Sequence, residues 1–369
     1  MKTKHNKSDR PMTANIRLLI IMICLQAVCL PQQIYSQGRS QATSRQANQG
    51  KQLNVVCSFS DYAAITEFVA GDKAKVSYIA HGEQDPHFVP PKPSYAVTLS
   101  AADLWITTGM DLEMWSATLI DKSRNRKIMD GEPGFVAVSS GVNILEKVAS
   151  ASRTEGDVHL MGNPHINTSP VNWKVIAQNI TIGLSKVDPA NASYYQANRD
   201  RFTDKVDRAL FGDALVDMFG GQTLTRMLEN NTLFTFLERS YEGGTLGDLL
   251  GGWLKKAMPI RGKKVIAYHK NWSYLANTFG FEVLGYIESK PGIPPSARHV
   301  QYMIEMIKDQ DIKLMLVANY FEKKTAQMIE DKTGIKALYL PLYVHGMPGI
   351  NDSFDLMDYW IEKINESVR

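Results

Sequence analysis

Cysteine is scarce. The 369 residues hold three, and two of these, Cys24 and Cys29, fall in the N-terminal leader described below. Only Cys57 stands in the remainder, so an internal disulfide is excluded there. Cys57 sits in a strand-like run and reads as a small buried apolar side chain. Excess charge of one sign is lacking too. Lys and Arg number 41 against 38 Asp and Glu, for a net charge of +3, and no dense basic stripe occurs, which argues against a nucleic-acid binder. Long apolar runs are absent. The N-terminal run from Leu18 to Leu30 is about 13 residues, whereas a membrane span needs about 20. No His-Glu-x-x-His or His-x-x-x-His cluster is present, so no local zinc-hydrolase signature can be read.

The N-terminus carries what is there first. Lys2, Lys4, Lys7, Arg10 and Arg17 precede the apolar stretch Leu18 to Leu25, followed by Pro31 and the small residue Ser36. A basic segment, a short apolar core and a small residue form a secretory signal, so residues 1–36 are read as a signal peptide and the protein as periplasmic or otherwise extracytoplasmic. An uncleaved anchor is the alternative. Leu25 to Cys29 faintly resembles a lipoprotein box, but Val28 before the cysteine is unusual, and a lipid anchor is not favoured. Residues 37–52, rich in Gln, Ser and Arg without apolar periodicity, are expected to be a disordered tether.

From Leu53 onward strand and helix signals alternate. Strands are expected at Leu53 to Ser58, Lys75 to Ile79, Asp103 to Thr108 and Phe135 to Ser139, with a helix over Asp61 to Val69 capped by Ser60 or Asp61. The rhythm returns after Lys263: strands at Lys264 to Ala267, Glu282 to Ile287, Leu314 to Val317 and Leu338 to Leu340, and helices at Trp272 to Phe279, Val300 to Lys308, Lys323 to Lys332 and Phe354 to Asn365. This βα alternation predicts α/β architecture with a parallel sheet in each of two lobes, residues 53–170 and 261–369. Between them, residues 171–208 read as a connecting helix, with a break near Asp188-Pro189. Residues 209–260, punctuated by paired glycines, read as an insertion.

Three histidines carry the candidate chemistry. His87 follows Asp85-Pro86 and His165 follows Asn163-Pro164. A proline before each stiffens the loop and holds the side chain at low entropic cost. His159 competes with His165, which is preferred for its matching X-Pro-His setting. His269 ends the strand Lys264 to Ala267, where α/β proteins bind ligands. Taken singly, each is also consistent with an ordinary loop or core histidine. Together, neutral imidazoles on rigid loops suit zinc or another borderline divalent metal.

In Asp85-Pro86-His87, Asn163-Pro164-His165 before a long helix, and Tyr268-His269 after a strand, the sequence resembles the zinc- and manganese-binding solute-binding proteins of ABC transporters. Pro295-Ser296-Ala297-Arg298 and Lys324-Thr325-Ala326 also fit. The resemblance covers residues 53–369 apart from the insertion. It implies two lobes joined by a long rigid backbone helix, a metal site between them, and delivery of the ion to a membrane permease by a monomeric protein without enzymatic activity. A histidine in the third position favours Zn2+ over Mn2+. One departure concerns the fourth ligand. The family's Asp-Pro-Leu-Gly stretch is here Leu340-Pro341-Leu342-Tyr343, with no Asp. His345 stands as the candidate replacement, with water, Asp352 or Asp355 as alternatives. Glu83, Asp85 or Asp157 are candidates to orient a ligand histidine. The insertion holds no histidine, so it is not the His-rich loop that many zinc-type members carry. The competing readings are a zinc-dependent hydrolase, which would need a general base near the metal, and a metal-dependent adhesin on the same fold.

Overall fold

The computed structural model describes residues 52–147, 161–288 and 292–368. The expected signal peptide with Cys29, nearly all of the expected tether, and the candidates Asp157 and His159 lie outside the described residues. Strand β1 (Leu53–Phe59) is buried without interruption from Val55 onward, the pattern of a strand covered on both faces. It is followed by α1 (Ser60–Ala70), β2 (Ala74–Ala80), α2 (Pro93–Ser100), β3 (Leu104–Thr107), α3 (Trp115–Ser123) and β4 (Phe135–Ala137). These strands form a parallel sheet in the order β2-β1-β3-β4. Next come α4 (Pro170–Val187), α5 (Ala192–Phe211), α6 (Asp213–Phe219), α7 (Gly221–Glu229), α8 (Leu233–Leu237), the antiparallel hairpin β5 (Ser240–Tyr241) and β6 (Gly244–Thr245), and α9 (Gly252–Lys256). The second sheet is built from β7 (Lys264–Ala267), α10 (Ser273–Phe279), β8 (Glu282–Tyr286), α11 (Ala297–Asp309), β9 (Leu314–Ala318), α12 (Lys323–Thr333), β10 (Lys336–Leu340) and α13 (Ser353–Val368). Its parallel order is β8-β7-β9-β10.

The two parallel sheets flanked by helices that the βα rhythm predicts are therefore present. In chain order, both sheets run second, first, third, fourth. The order reverses beside β1 in one sheet and beside β7 in the other. At such a point the loops leaving the carboxyl ends of the strands diverge and open a crevice.

The connecting segment over 171–208 is two helices, parted at the break expected near Asp188-Pro189. Helices α4 and α5 form an antiparallel pair: Lys174 meets Asp207 at 2.6 Å, and Gln178 bonds Arg199 further along. The chain turns at Asp188, whose backbone leaves the helical region because Pro189 disfavours that conformation in the residue before it. The Asp188 carboxylate accepts from Tyr195 Oη at 2.6 Å and Asn191 Nδ2 at 2.7 Å, which fixes the turn. Helix α4 lies close on the first sheet because Gly183 has no Cβ; one there would overlap Val136. The expected insertion is no detached module. Leu215, Leu224, Leu233 and Leu246 are buried in the same core as the first sheet. By α9, Trp253 already packs edge-on against Trp173 at 5.8 Å and lies tilted against Phe354 at 5.6 Å.

Ser60 and Asp61, expected to cap α1, make no cap. They tie the helix to the loop after β10 instead. Ser60 Oγ donates to the Val344 carbonyl at 2.6 Å, and the Val344 amide donates to Asp61 Oδ2 at 3.0 Å. Asn167 Nδ2 donates to Asp61 Oδ1 at 2.9 Å. Nearby the backbones touch directly, since a Cβ at Gly82 would overlap the Val344 carbonyl.

Burial pushes the Asp61 carboxyl up to about 7, against the lowering effect of these hydrogen bonds. The folded state thus holds a proton that the unfolded chain releases near 3.8. The contribution of this group to stability must fall as pH rises from about 4 to about 7. Denaturant unfolding of Asp61→Asn across that window is expected to show a flatter pH dependence than the parent protein.

Candidate metal centre

The three histidines come from loops of the two sheets: His87 from the loop after β2, His165 from the segment just before α4, and His269 directly after β7. The structure brings them together. Their ring centroids are 5.2, 5.4 and 5.3 Å apart, a nearly equilateral triangle. One ring nitrogen from each lies within 4.8 Å of the others. Tetrahedral zinc at about 2.0–2.1 Å from each nitrogen would hold them about 3.3–3.4 Å apart. His165 and His269 are buried, and His87 is partly so.

Each ring is held at Nδ1. In the first loop, Asp85 Oδ1 accepts from the His87 backbone amide at 3.0 Å and from His87 Nδ1 at 2.6 Å. In the second, Asn163 Oδ1 accepts from the His165 amide at 3.0 Å and from His165 Nδ1 at 2.8 Å. The two motifs are one device. A side-chain oxygen two residues upstream folds back over the intervening proline, and the same short turn orients the imidazole. Trp115 Nε1, donating to the Pro86 carbonyl at 2.7 Å, pins the first loop. At the third corner, His269 Nδ1 meets Glu288 Oε2 at 2.6 Å. A carboxylate can only accept, so each such Nδ1 carries the hydrogen and Nε2 is left as the lone-pair nitrogen. Among the described residues His269 Nε2 has no hydrogen-bond partner.

Electrostatics fit this arrangement. Burial lowers the pKa of His269, against the raising effect of its bond to Glu288, so the ring stays neutral and able to coordinate. Burial works to raise the pKa of Asp85, but its bonds and attraction to His87 outweigh this and the carboxyl falls below its ordinary value. The Asp85 and Glu288 carboxyls stand behind the His87 and His269 rings, the place from which outer acids orient metal-binding imidazoles.

Of the candidate orienting acids, Asp85 bonds a site histidine, whereas Glu83 is exposed. Glu288 was missed by sequence reasoning. It lies just past the end of β8, and its amide continues the ladder by donating to the Tyr268 carbonyl at 2.8 Å. The clue was positional, an acid ending the strand beside the histidine's own, and became specific only once β7 and β8 were known to pair. The expected fourth ligand, His345, is not brought to the triangle. Its side chain is exposed, it adopts φ 61°, and its Nδ1 pairs with Tyr78 Oη at 3.2 Å. The turn after β10 buries Tyr343 and Val344 and turns His345 outward. Neither alternative acid joins either: Asp352 accepts from the Phe354 and Asp355 amides at the start of α13, and Asp355 from the Asn351 amide.

The sequence profile of the family described as ZnuA, zinc-uptake complex component A, periplasmic, matches residues 55–210 and 249–367. The chain belongs to that family. The matched segments contain all three histidines and skip the whole of α6 to β6. A relative named high-affinity zinc uptake system protein ZnuA from Bacillus subtilis is 23% identical over 86% of this chain and 85% of its own length. A manganese ABC transporter substrate-binding lipoprotein PsaA from Streptococcus mitis is 32% identical over 44% of this chain. That match spans about half, 51%, of the streptococcal protein. Among solved structures, a crystal structure of ZnuA superposes with a TM-score of 0.62 at 19% identity, covering 86% of this chain and 100% of the other. A Mn-bound periplasmic metal binding protein from Candidatus Liberibacter asiaticus gives 0.61 at 19% identity with the same coverage. At this identity the superpositions speak to the ZnuA-like fold alone.

Outer partners of metal-binding histidines usually contribute about 10- to 100-fold to affinity. Asp85→Ala and Glu288→Ala are each expected to weaken divalent-metal binding by about that factor, read by competition with a chromophoric chelator, with the unfolding midpoint as control.

Proposed function

We propose that this protein captures a divalent cation, zinc, outside the cytoplasm through His87, His165 and His269 and delivers it to an ABC-type membrane permease. One observation carries the choice of ion. The clustered donors are three imidazole nitrogens, and no carboxylate among the described residues joins them. Imidazole sets suit zinc, whereas manganese is better served by oxygen donors. Three protein ligands leave one tetrahedral position, which a water molecule fills in this reading. The partner and compartment follow from the family and the names of its relatives. The protein acts as a carrier: among the described residues, the acids bonded to the histidines, Asp85 and Glu288, are committed to Nδ1.

Manganese capture is the second reading, and the streptococcal relatives named for manganese favour it. Calorimetry separates the two. Zinc is expected to bind in a 1:1 ratio and to resist displacement by excess manganese. His87→Ala, His165→Ala and His269→Ala are each expected to weaken zinc binding by more than the 100-fold or so typical of the strongest outer-partner losses, whereas His345→Ala leaves it unchanged. Preference for manganese would move the assignment to the second reading, and full zinc affinity in any of the three variants would remove that histidine from the site.

A further inference from the structure

We infer that Glu146 is a positioning residue for the metal centre, acting through Asn163 to hold His165 in its metal-accepting tautomer and to slow release of the ion. The inference rests on the proposed metal-binding function and adds a residue that touches no ligand ring.

Glu146 projects from the segment after β4 and reaches the start of α10 and the loop before it. Its Oε1 accepts from Ser273 Oγ at 2.6 Å and Tyr286 Oη at 3.1 Å. Its Oε2 accepts from Asn163 Nδ2 at 3.4 Å and lies 3.6 Å from Lys270 Nζ. The backbone beside it is fastened to the same place. The Leu145 amide donates to Tyr274 Oη at 3.2 Å, Tyr274 Oη donates to the Asn163 carbonyl at 2.7 Å, and the Asn163 amide donates to the Leu145 carbonyl at 2.9 Å. Glu146 holds this position with φ at 52°, a left-handed conformation uncommon for a residue with a Cβ. Strain of this kind persists where surrounding contacts demand it. The carboxylate also helps burial push the Tyr286 phenol up to about 12.

The consequence for the metal site follows from the two faces of one amide. Asn163 Oδ1 must face His165 to accept its Nδ1 hydrogen and leave Nε2 as the coordinating nitrogen. An asparagine amide can turn over, exchanging oxygen and nitrogen. Here Nδ2 faces the Lys270 carbonyl at 2.8 Å, Ser273 Oγ at 3.2 Å and the Glu146 carboxylate. Turning the amide would set Oδ1 against a carbonyl and a carboxylate, both acceptors only. It would also present N–H groups to His165 Nδ1 and favour the wrong tautomer. Glu146, placed with the Lys270 carbonyl against Nδ2, works against that reversal. Because Lys270 and Ser273 follow His269 in the segment leading into α10 and Tyr286 ends the neighbouring β8, the same carboxylate ties two corners of the triangle together.

The test uses the whole protein and two readouts. In the metal-free state, long-range proton–nitrogen NMR reports the His165 tautomer. In the zinc-loaded state, transfer to a chromophoric chelator reports release. The parent protein is expected to show the Nδ1–H form of His165. Glu146→Ala is expected to show a mixture of tautomers and to release zinc about tenfold faster, the lower end of the usual outer-partner effect, with one zinc still bound. If Glu146→Ala does not fold, Glu146→Gln carries the same two readouts. An unchanged tautomer or an unchanged release rate overturns the inference. The tautomer measurement needs no metal, so it tests Glu146 even if the protein proved not to bind zinc.

Discussion

The hydrogen bond to Nδ1 of each histidine is the interaction on which the site depends. It decides which nitrogen keeps its lone pair, fixes the ring plane, and places charge behind the ring. Two of the three bonds are made within a motif of three residues, so they form as soon as the loop does. The third joins His269 to Glu288 and exists only because β7 and β8 pair in register. The triangle thus combines two locally encoded corners with one encoded by the sheet.

The fold serves this arrangement by keeping the loops in place. Both sheets share a core through Trp173, Trp272, Phe354 and Trp360. Ser60, Asp61 and Gly82 join the first sheet's elements to the loop after β10. Asn163, Lys270 and Ser273 join the loop of His165 to that of His269. Histidines on loops held from both sides would need little ordering on binding an ion, which is how a rigid site gains affinity.

Much of this was legible in the sequence. Apolar runs such as Leu314 to Val317 marked buried strands, and the helix ends read after Phe279 and near Lys332 are closed by Gly280 and Gly334 in the left-handed conformation. The Pro-His repeats marked two corners of the triangle. What was not legible depended on tertiary context. Helices α2 and α3 are short and border exposed loops, so their periodicity was too weak to read. The turn at Asp188 was visible as a break, but only packing showed that the chain doubles back there. Glu288 looked like any strand-end acid. His345 occupied the right stretch of sequence for a ligand, yet burial of Tyr343 and Val344 sends it to the surface.

X-ray absorption at the zinc edge of the loaded protein reads the donor set itself. Four light-atom neighbours at about 2.0–2.1 Å are expected, with the multiple-scattering pattern of three imidazoles. A spectrum with fewer than three imidazoles, or with a shell dominated by carboxylate oxygen, would contradict the three-histidine site.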